Sequence, residues 1–183
     1  MTLNIIHLPY RIDRLILLEQ EFKSENIINY KIWDGITCPG KPQTGISKAH
    51  KQVVRYALEN HLPEILIGED DLHFTVMGAF NHFLIQKPAE YDLYLGGISY
   101  GKLSNDKLVD DFAGLLLYMV HERFYETFLS IDEDKHLDRA LKHRGRYVVC
   151  DPQPVVEHSG YSDNQKEYMD ASVFFQNRNL FGV

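Results

Sequence analysis

The sequence predicts a single α/β domain in which short buried strands alternate with amphipathic helices. Three observations predict it. Short apolar runs recur along the chain, at residues 4–8, 65–67 and 114–120. Between them stand apolar residues at helical spacing, Leu15, Leu18 and Phe22 in one place and Ile46, Ala49, Val53 and Ala57 in another. Strand, helix, strand is the start of a βαβ unit, and 183 residues, 44% hydrophobic and 25% charged, suffice for one substantial core. Residues 1–183 therefore read as one domain, without repeat, low-complexity tract or linker.

Residues 4–8 form the first strand, rich in isoleucine and ended by Pro9. Arg11, Asp13 and Arg14 open the first helix, and residues 29–33 give a second strand. Asp34-Gly35 and Pro39-Gly40-Lys41-Pro42 mark a turn and a loop. The stripe from Ile46 runs through Asn60 and takes Thr44 as its N-cap. His50 lies on or near that stripe, where a satisfied, partly buried histidine is the plainer reading. Residues 76–85 read as a short helix, and residues 92–95 as a strand ended by Gly96-Gly97. That glycine pair either admits a ligand close to the backbone or simply turns the chain. Residues 99–111 form a polar loop whose length suits a lid. The run 114–120 is a core strand, Phe124, Phe128 and Ile131 mark a helix packed on it, and residues 132–142 hold a second, charged helix carrying Asp138. Strands follow at 147–149 and 155–156, and residues 159–183 read as a loop or tail laid over the body.

The strand at 65–67 runs into three carboxylates, Glu69, Asp70 and Asp71. Alternation along a strand puts Glu69 and Asp71 on one side and Asp70 on the other. Two like charges about 4 Å apart repel by roughly 1 kcal/mol in water and roughly 4 kcal/mol at a partly buried surface. A fold that sets them at the end of a buried strand supplies a cation or hydrogen-bond donors. Hard cations take carboxylate oxygens, which points to Mg²⁺ or Mn²⁺; a solvated acidic turn is the competing reading. Arg11 and Arg14 stand at the end of the first strand, where ligands bind in open α/β sheets. Their guanidiniums suit a diphosphate, or pair with Asp13 or Glu19 on the first helical turn.

The net charge is −7, with no block of like charges to suggest a nucleic-acid patch. A phosphate-bearing substrate must be drawn by local basic residues or by a metal. Cys38 and Cys150 form no CxxC and suggest neither a disulfide framework nor a zinc site; a reducing cytoplasm suits them. No stretch is long enough to span a bilayer, and the apolar run near Met1 lacks the basic residues of a signal peptide. The expected location is cytoplasmic, with peripheral contact at the inner face of the membrane left open.

Several pieces line up in one order: Arg11-x-Asp13-Arg14 after the first strand, Asp34-Gly35, and the helix start Gly45-Ile46-Ser47-Lys48-Ala49-His50. Then come the strand into Glu69-Asp70-Asp71, the run 114–120, the Asp138 helix and a final Val156-x-His158-Ser159. This order resembles the family 25 glycosyltransferases, the lipooligosaccharide-type sugar transferases related to collagen galactosyltransferases. The resemblance covers most of the chain. It departs where the family's Ser-His pair is Ala49-His50 and its Asn-Leu is His7-Leu8. It implies the GT-A fold, a Rossmann-type α/β sandwich with a mixed central sheet. It also implies a metal-dependent, inverting transfer of a sugar such as galactose. The implied donor is a nucleotide sugar, a UDP-sugar, and the implied acceptor is a hydroxyl of a surface glycan in lipopolysaccharide biosynthesis. On this resemblance Mn²⁺ or Mg²⁺ is held by Asp71, Glu69 and His158, and Asp138 is the catalytic base. Arg11, Arg14, His50 and Asp70 then serve the nucleotide or diphosphate.

Two other readings stay in competition. A metal-dependent phosphohydrolase needs more acidic ligands than one triplet. A non-catalytic nucleotide- or glycan-binding protein would keep the scaffold alone.

Overall fold

The computed structural model describes residues 1–183. The first half contains β1 (Leu3–His7), α1 (Ile12–Ser24), β2 (Tyr30–Asp34), α2 (Pro42–Glu59), β3 (Glu64–Glu69), β4 (Leu72–Phe74) and α3 (Ala79–Ile85). The second contains β5 (Leu93–Leu95), β6 (Leu108–Val109), β7 (Leu117–His121), α4 (Tyr125–Leu129), α5 (Leu137–Ala140) and β8 (Tyr147–Val149). It ends with β9 (Val155–Glu157), β10 (Gly160–Ser162), β11 (Glu167–Met169) and α6 (Ser172–Phe175). A seven-stranded sheet runs β2-β1-β3-β7-β5-β8-β6. β2, β1 and β3 are parallel, β7 is antiparallel to β3 and β5, and β8 is parallel to β5. The central sheet is mixed, as expected. Two small antiparallel pairs, β4-β9 and β10-β11, stand outside it.

Apart from the exposed edge strand β2, the main strands of the sheet are buried on both faces, which is why they read as continuous runs. Along β3, Ile65 and Ile67 join one core layer and Leu66 joins the other. Along β7, Tyr118 and Val120 face the first layer while Leu117 and Met119 face the second. α2 closes the first layer with Ala49, Val53 and Ala57. α1 and α3 close the second with Leu18, Phe22, Ala79 and Phe83. Burying such side chains stabilises by roughly 1.5–3 kcal/mol each, so these two layers dominate the fold's stability. No helix is long and apolar enough to cross a membrane.

Four expectations are corrected. α2 begins at Pro42, with Lys41 as its N-cap, so Thr44 lies inside the helix and its hydroxyl donates to Asp134 Oδ1 at 2.8 Å. Proline there has the φ a helix needs and no N–H to leave unpaired. The charged helix expected over 132–142 shrinks to α5, because the Asp132 side chain accepts from the Asp134 N–H and turns the chain locally. The strand expected from residue 114 starts at Leu117, since Gly114 takes φ +106°. The tail over 159–183 is ordered into β10, β11 and α6, with Phe175 buried.

Candidate functional site

The C-terminal ends of the parallel strands β1, β2 and β3 open onto a cavity of about 650 Å³. Leu8, Tyr10 and Arg14 form one wall, residues 35–40 and α2 a second, and Ser162, Asp163, Asn164 and Lys166 of the β10–β11 hairpin a third. The second wall depends on a close approach. A Cβ on Gly45 would lie 2.1 Å from the Ile36 carbonyl oxygen. The hairpin is latched to the β1–α1 turn. Tyr10 Oη donates to Asp163 Oδ1 at 3.1 Å, and Arg11 donates to the Tyr161 carbonyl at 3.0 Å and to Asp163.

Glu69, Asp70 and Asp71 form the cavity's acidic floor. Asp70 is fully engaged: Oδ2 accepts from His7 Nδ1 at 2.7 Å and from the Leu8 N–H at 3.3 Å, and Oδ1 accepts from Arg14 Nη1 at 2.8 Å. Arg14 Nη1 also lies 2.8 Å from Asp71 Oδ2. The expected separation of Asp70 from its neighbours is therefore corrected. β3 ends at Glu69, the next two residues turn, and one guanidinium gathers Asp70 and Asp71 while Glu69 faces α2. Asp71 Oδ1 is buried and has no hydrogen-bond partner.

Burial, then repulsion from Glu157, Asp70 and Asp138, pushes the Glu69 carboxyl up to about 8. It does so although 28% of that side chain still meets the cavity. Asp71 and Glu157 are also raised, first by burial and then by neighbouring carboxylates, Glu69 foremost for Asp71 and Asp71 for Glu157. Behind them His50 Nδ1 lies 2.6 Å from Tyr118 Oη, and Nε2 lies 3.0 Å from Glu69 Oε1. Burial holds Tyr118 well above its ordinary range and pushes His50 down to about 4. Tyr118 thus keeps its proton and His50 is a neutral imidazole bridging Tyr118 and Glu69, one ring nitrogen donating and the other accepting.

Of the residues singled out by sequence, Arg14, His50, Glu69, Asp70 and Asp71 line one cavity. Three lie elsewhere. Arg11 is bound to Asp13 at 2.9 and 2.7 Å as well as to the hairpin. Asp138 accepts from the Gly114 N–H at 3.1 Å and the Arg139 N–H at 2.7 Å, outside the cavity lining. The His158 backbone N–H donates to the Asp71 carbonyl at 2.7 Å, while its imidazole sits 3.2 Å from Glu21. Sequence reasoning missed Glu157. It pairs with Leu72 across β4-β9 and lines the cavity. Alternation puts Glu157 and His158 on opposite sides of the chain, and that signal was available beside the histidine.

The donor set is oxygen-rich, desolvated and contains one orphaned carboxylate oxygen, the chemistry a small divalent cation takes, although the ligand atoms that already lie within 4.8 Å of one another are those of Glu21, His73 and His158. Among solved structures, A197 from STIV matches over 92% of both chains at TM-score 0.55 and 16% identity. A Drosophila β1,4-galactosyltransferase 7 mutant in complex with manganese, UDP-Gal and xylobiose matches at TM-score 0.49 and 8% identity, over 97% of this chain and 79% of that one. A glycosyltransferase involved in glycosylation of the major capsid of PBCV-1 matches at TM-score 0.45 and 15% identity, over 82% of this chain and 81% of that one. At these identities the likeness to A197 is one of fold. No protein-family model matches the chain, and no curated protein matches it. The chain has a mixed α/β fold shared with A197, with an acidic cavity at the end of its parallel strands.

Proposed function

We propose that this chain is a metal-dependent glycosyltransferase that takes its sugar from a nucleotide sugar, with a UDP-sugar as donor. The observation that carries this reading is the orphaned Asp71 Oδ1 within a cluster of desolvated carboxylates beside a cavity of about 650 Å³. Asp71, Glu69 and Glu157 would hold Mn²⁺ or Mg²⁺. When bound, such an ion supplies counter-charge to the leaving diphosphate. Arg14 keeps Asp70 and Asp71 together and leaves Oδ1 free to bind. Lys166, exposed on the hairpin rim of the cavity, is the cation for a diphosphate. Leu8, Ile36, Pro39 and Ile46 give the apolar wall that suits a base. The acceptor proton is assigned to Asp138, whose charge acts on His50 and Glu69 although it does not line the cavity. Asp71 and Glu157 are given to the metal ion in this reading and so are not assigned the proton. The resemblance to family 25 makes a surface glycan, such as lipooligosaccharide, the acceptor to try first.

The test is release of nucleoside diphosphate from UDP-, GDP- and ADP-sugars in Mn²⁺ with glycan acceptors. Turnover of a UDP-sugar is expected, abolished in Asp71→Asn. In Asp138→Asn the rate should fall by about 10²–10⁴-fold while Mn²⁺-dependent UDP binding persists. A second reading, a nucleotide- or glycan-binding protein, is favoured by one observation: Asp138 does not line the cavity. Tight UDP binding with no turnover of any donor would establish it and remove the transferase assignment.

A further inference from the structure

Glu157 also borders a second cavity, of about 670 Å³, which His73 and His158 line. The chemistry proposed above uses neither histidine. Glu21 comes from the last half of α1, His73 from β4, and His158 follows β9 directly. Glu21 Oε1 lies 2.6 Å from His73 Nδ1 and 3.2 Å from His158 Nε2, and the two imidazole centroids are 4.6 Å apart. One ligand atom from each residue falls within 4.8 Å of the other two. Glu21 Oε2 accepts from the Phe74 N–H at 3.1 Å, which fixes the carboxylate with Oε1 turned toward both rings. His158 Nε2 is buried without a hydrogen-bond partner: it reaches Glu21 at ion-pair distance but outside hydrogen-bond geometry.

We propose that Glu21, His73 and His158 form a second metal site, for a borderline transition cation such as Zn²⁺, separate from the carboxylate cavity. Two imidazoles and one carboxylate suit Zn²⁺, whereas Mg²⁺ and Mn²⁺ prefer oxygen ligands. Tetrahedral ligands about 2.0–2.1 Å from Zn²⁺ stand roughly 3.3 Å from one another. The His158–Glu21 distance of 3.2 Å already meets that spacing. The His73–Glu21 distance of 2.6 Å must open slightly, and His73, 44% exposed, has room to do so. Three protein ligands leave a fourth position open to the second cavity. The site would fasten α1, which carries Arg14, to the β4-β9 pair that flanks Asp71 and carries Glu157.

The test uses untagged, chelator-stripped protein with the metal alone as probe. Zn²⁺ is titrated in competition with a chromophoric chelator, and Co²⁺ binding is read from its visible absorption. One tight equivalent of Zn²⁺ is expected, with intense Co²⁺ bands typical of a tetrahedral site. His73→Gln should lose the bands and weaken Zn²⁺ at least tenfold, while Asp71→Asn keeps both. Circular dichroism checks folding, and the half-exposed His73 is the position least bound to the core. Absence of Zn²⁺ binding to the folded wild type would overturn the proposal and leave an ion-paired His–Glu–His cluster. So would Co²⁺ bands that survive His73→Gln and vanish in Asp71→Asn. Neither result touches UDP binding at the carboxylate cavity.

Discussion

At Asp71 one carboxylate oxygen is held by Arg14 and the other by nothing. Glu69 and Glu157 share that condition in part, since each is buried among other acids. All three bind a proton more tightly in the folded chain than in the unfolded one, where carboxylates titrate near 4. Their contribution to stability is whole below that value and is lost as pH rises through the folded pKa values, about 8 for Glu69. Without divalent ions the melting temperature should therefore fall more steeply between about pH 5 and about pH 8 in wild type than in Glu69→Gln. Mn²⁺ should recover the loss at the upper end. Equal slopes in the two proteins would count against a desolvated Glu69. Arg14 supplies the second test at this scale. Replacing it by leucine strands two buried carboxylates, and denaturant titration should show a loss of about 3–5 kcal/mol. Arg14→Lys should restore only part, because an ammonium lacks the guanidinium fork. The acidic triplet was legible in the sequence because three carboxylates after an apolar strand are rare company. The role of Arg14 as their tie was not, since it depends on where α1 starts relative to the end of β3.

α2 meets the loop after β2 through Gly45, and that contact builds one wall of the cavity. Gly45→Ala places a methyl 2.1 Å from a backbone oxygen that has no rotamer to yield. The expected loss is about 1–3 kcal/mol in urea unfolding, with weakened UDP binding. The β10–β11 hairpin is held by side chains rather than by the core, through Tyr10 and Arg11 to Asp163. In Asp163→Ala, hydrogen exchange over residues 160–169 should quicken while the sheet amides keep their protection. Unchanged exchange there would show that the latch holds nothing. β1, β3 and β7 were legible as strands because the sheet is covered on both faces and leaves unbroken apolar runs. β4 and the hairpin were not. Leu72, His73 and Phe74 are too few to show a period, and the exposed Tyr161 and Tyr168 carry no core face. α5 was over-read because Asp132 spends its side chain on a local turn.

Over the whole molecule, two core layers grip a mixed sheet, and the carboxylates collect where its parallel strands end. The mixed α/β architecture was legible in the alternation of apolar strands and amphipathic helices along the chain. The division of that region into two neighbouring cavities was not, because Glu157 borders both while His158 lines only the second. The central claim is that Asp71 and its neighbours bind a divalent ion and a nucleoside diphosphate together. It is tested most directly by thermal denaturation with UDP, with Mn²⁺ and with both, in wild type and Asp71→Asn. A ligand at a hundred times its dissociation constant stabilises by about 2.7 kcal/mol, which for a chain of this length is roughly 5–10 °C. The account predicts a shift of that size with UDP and Mn²⁺ together, little with UDP alone, and loss of the shift in Asp71→Asn. A UDP shift that ignores Mn²⁺, or one that persists in Asp71→Asn, would contradict it.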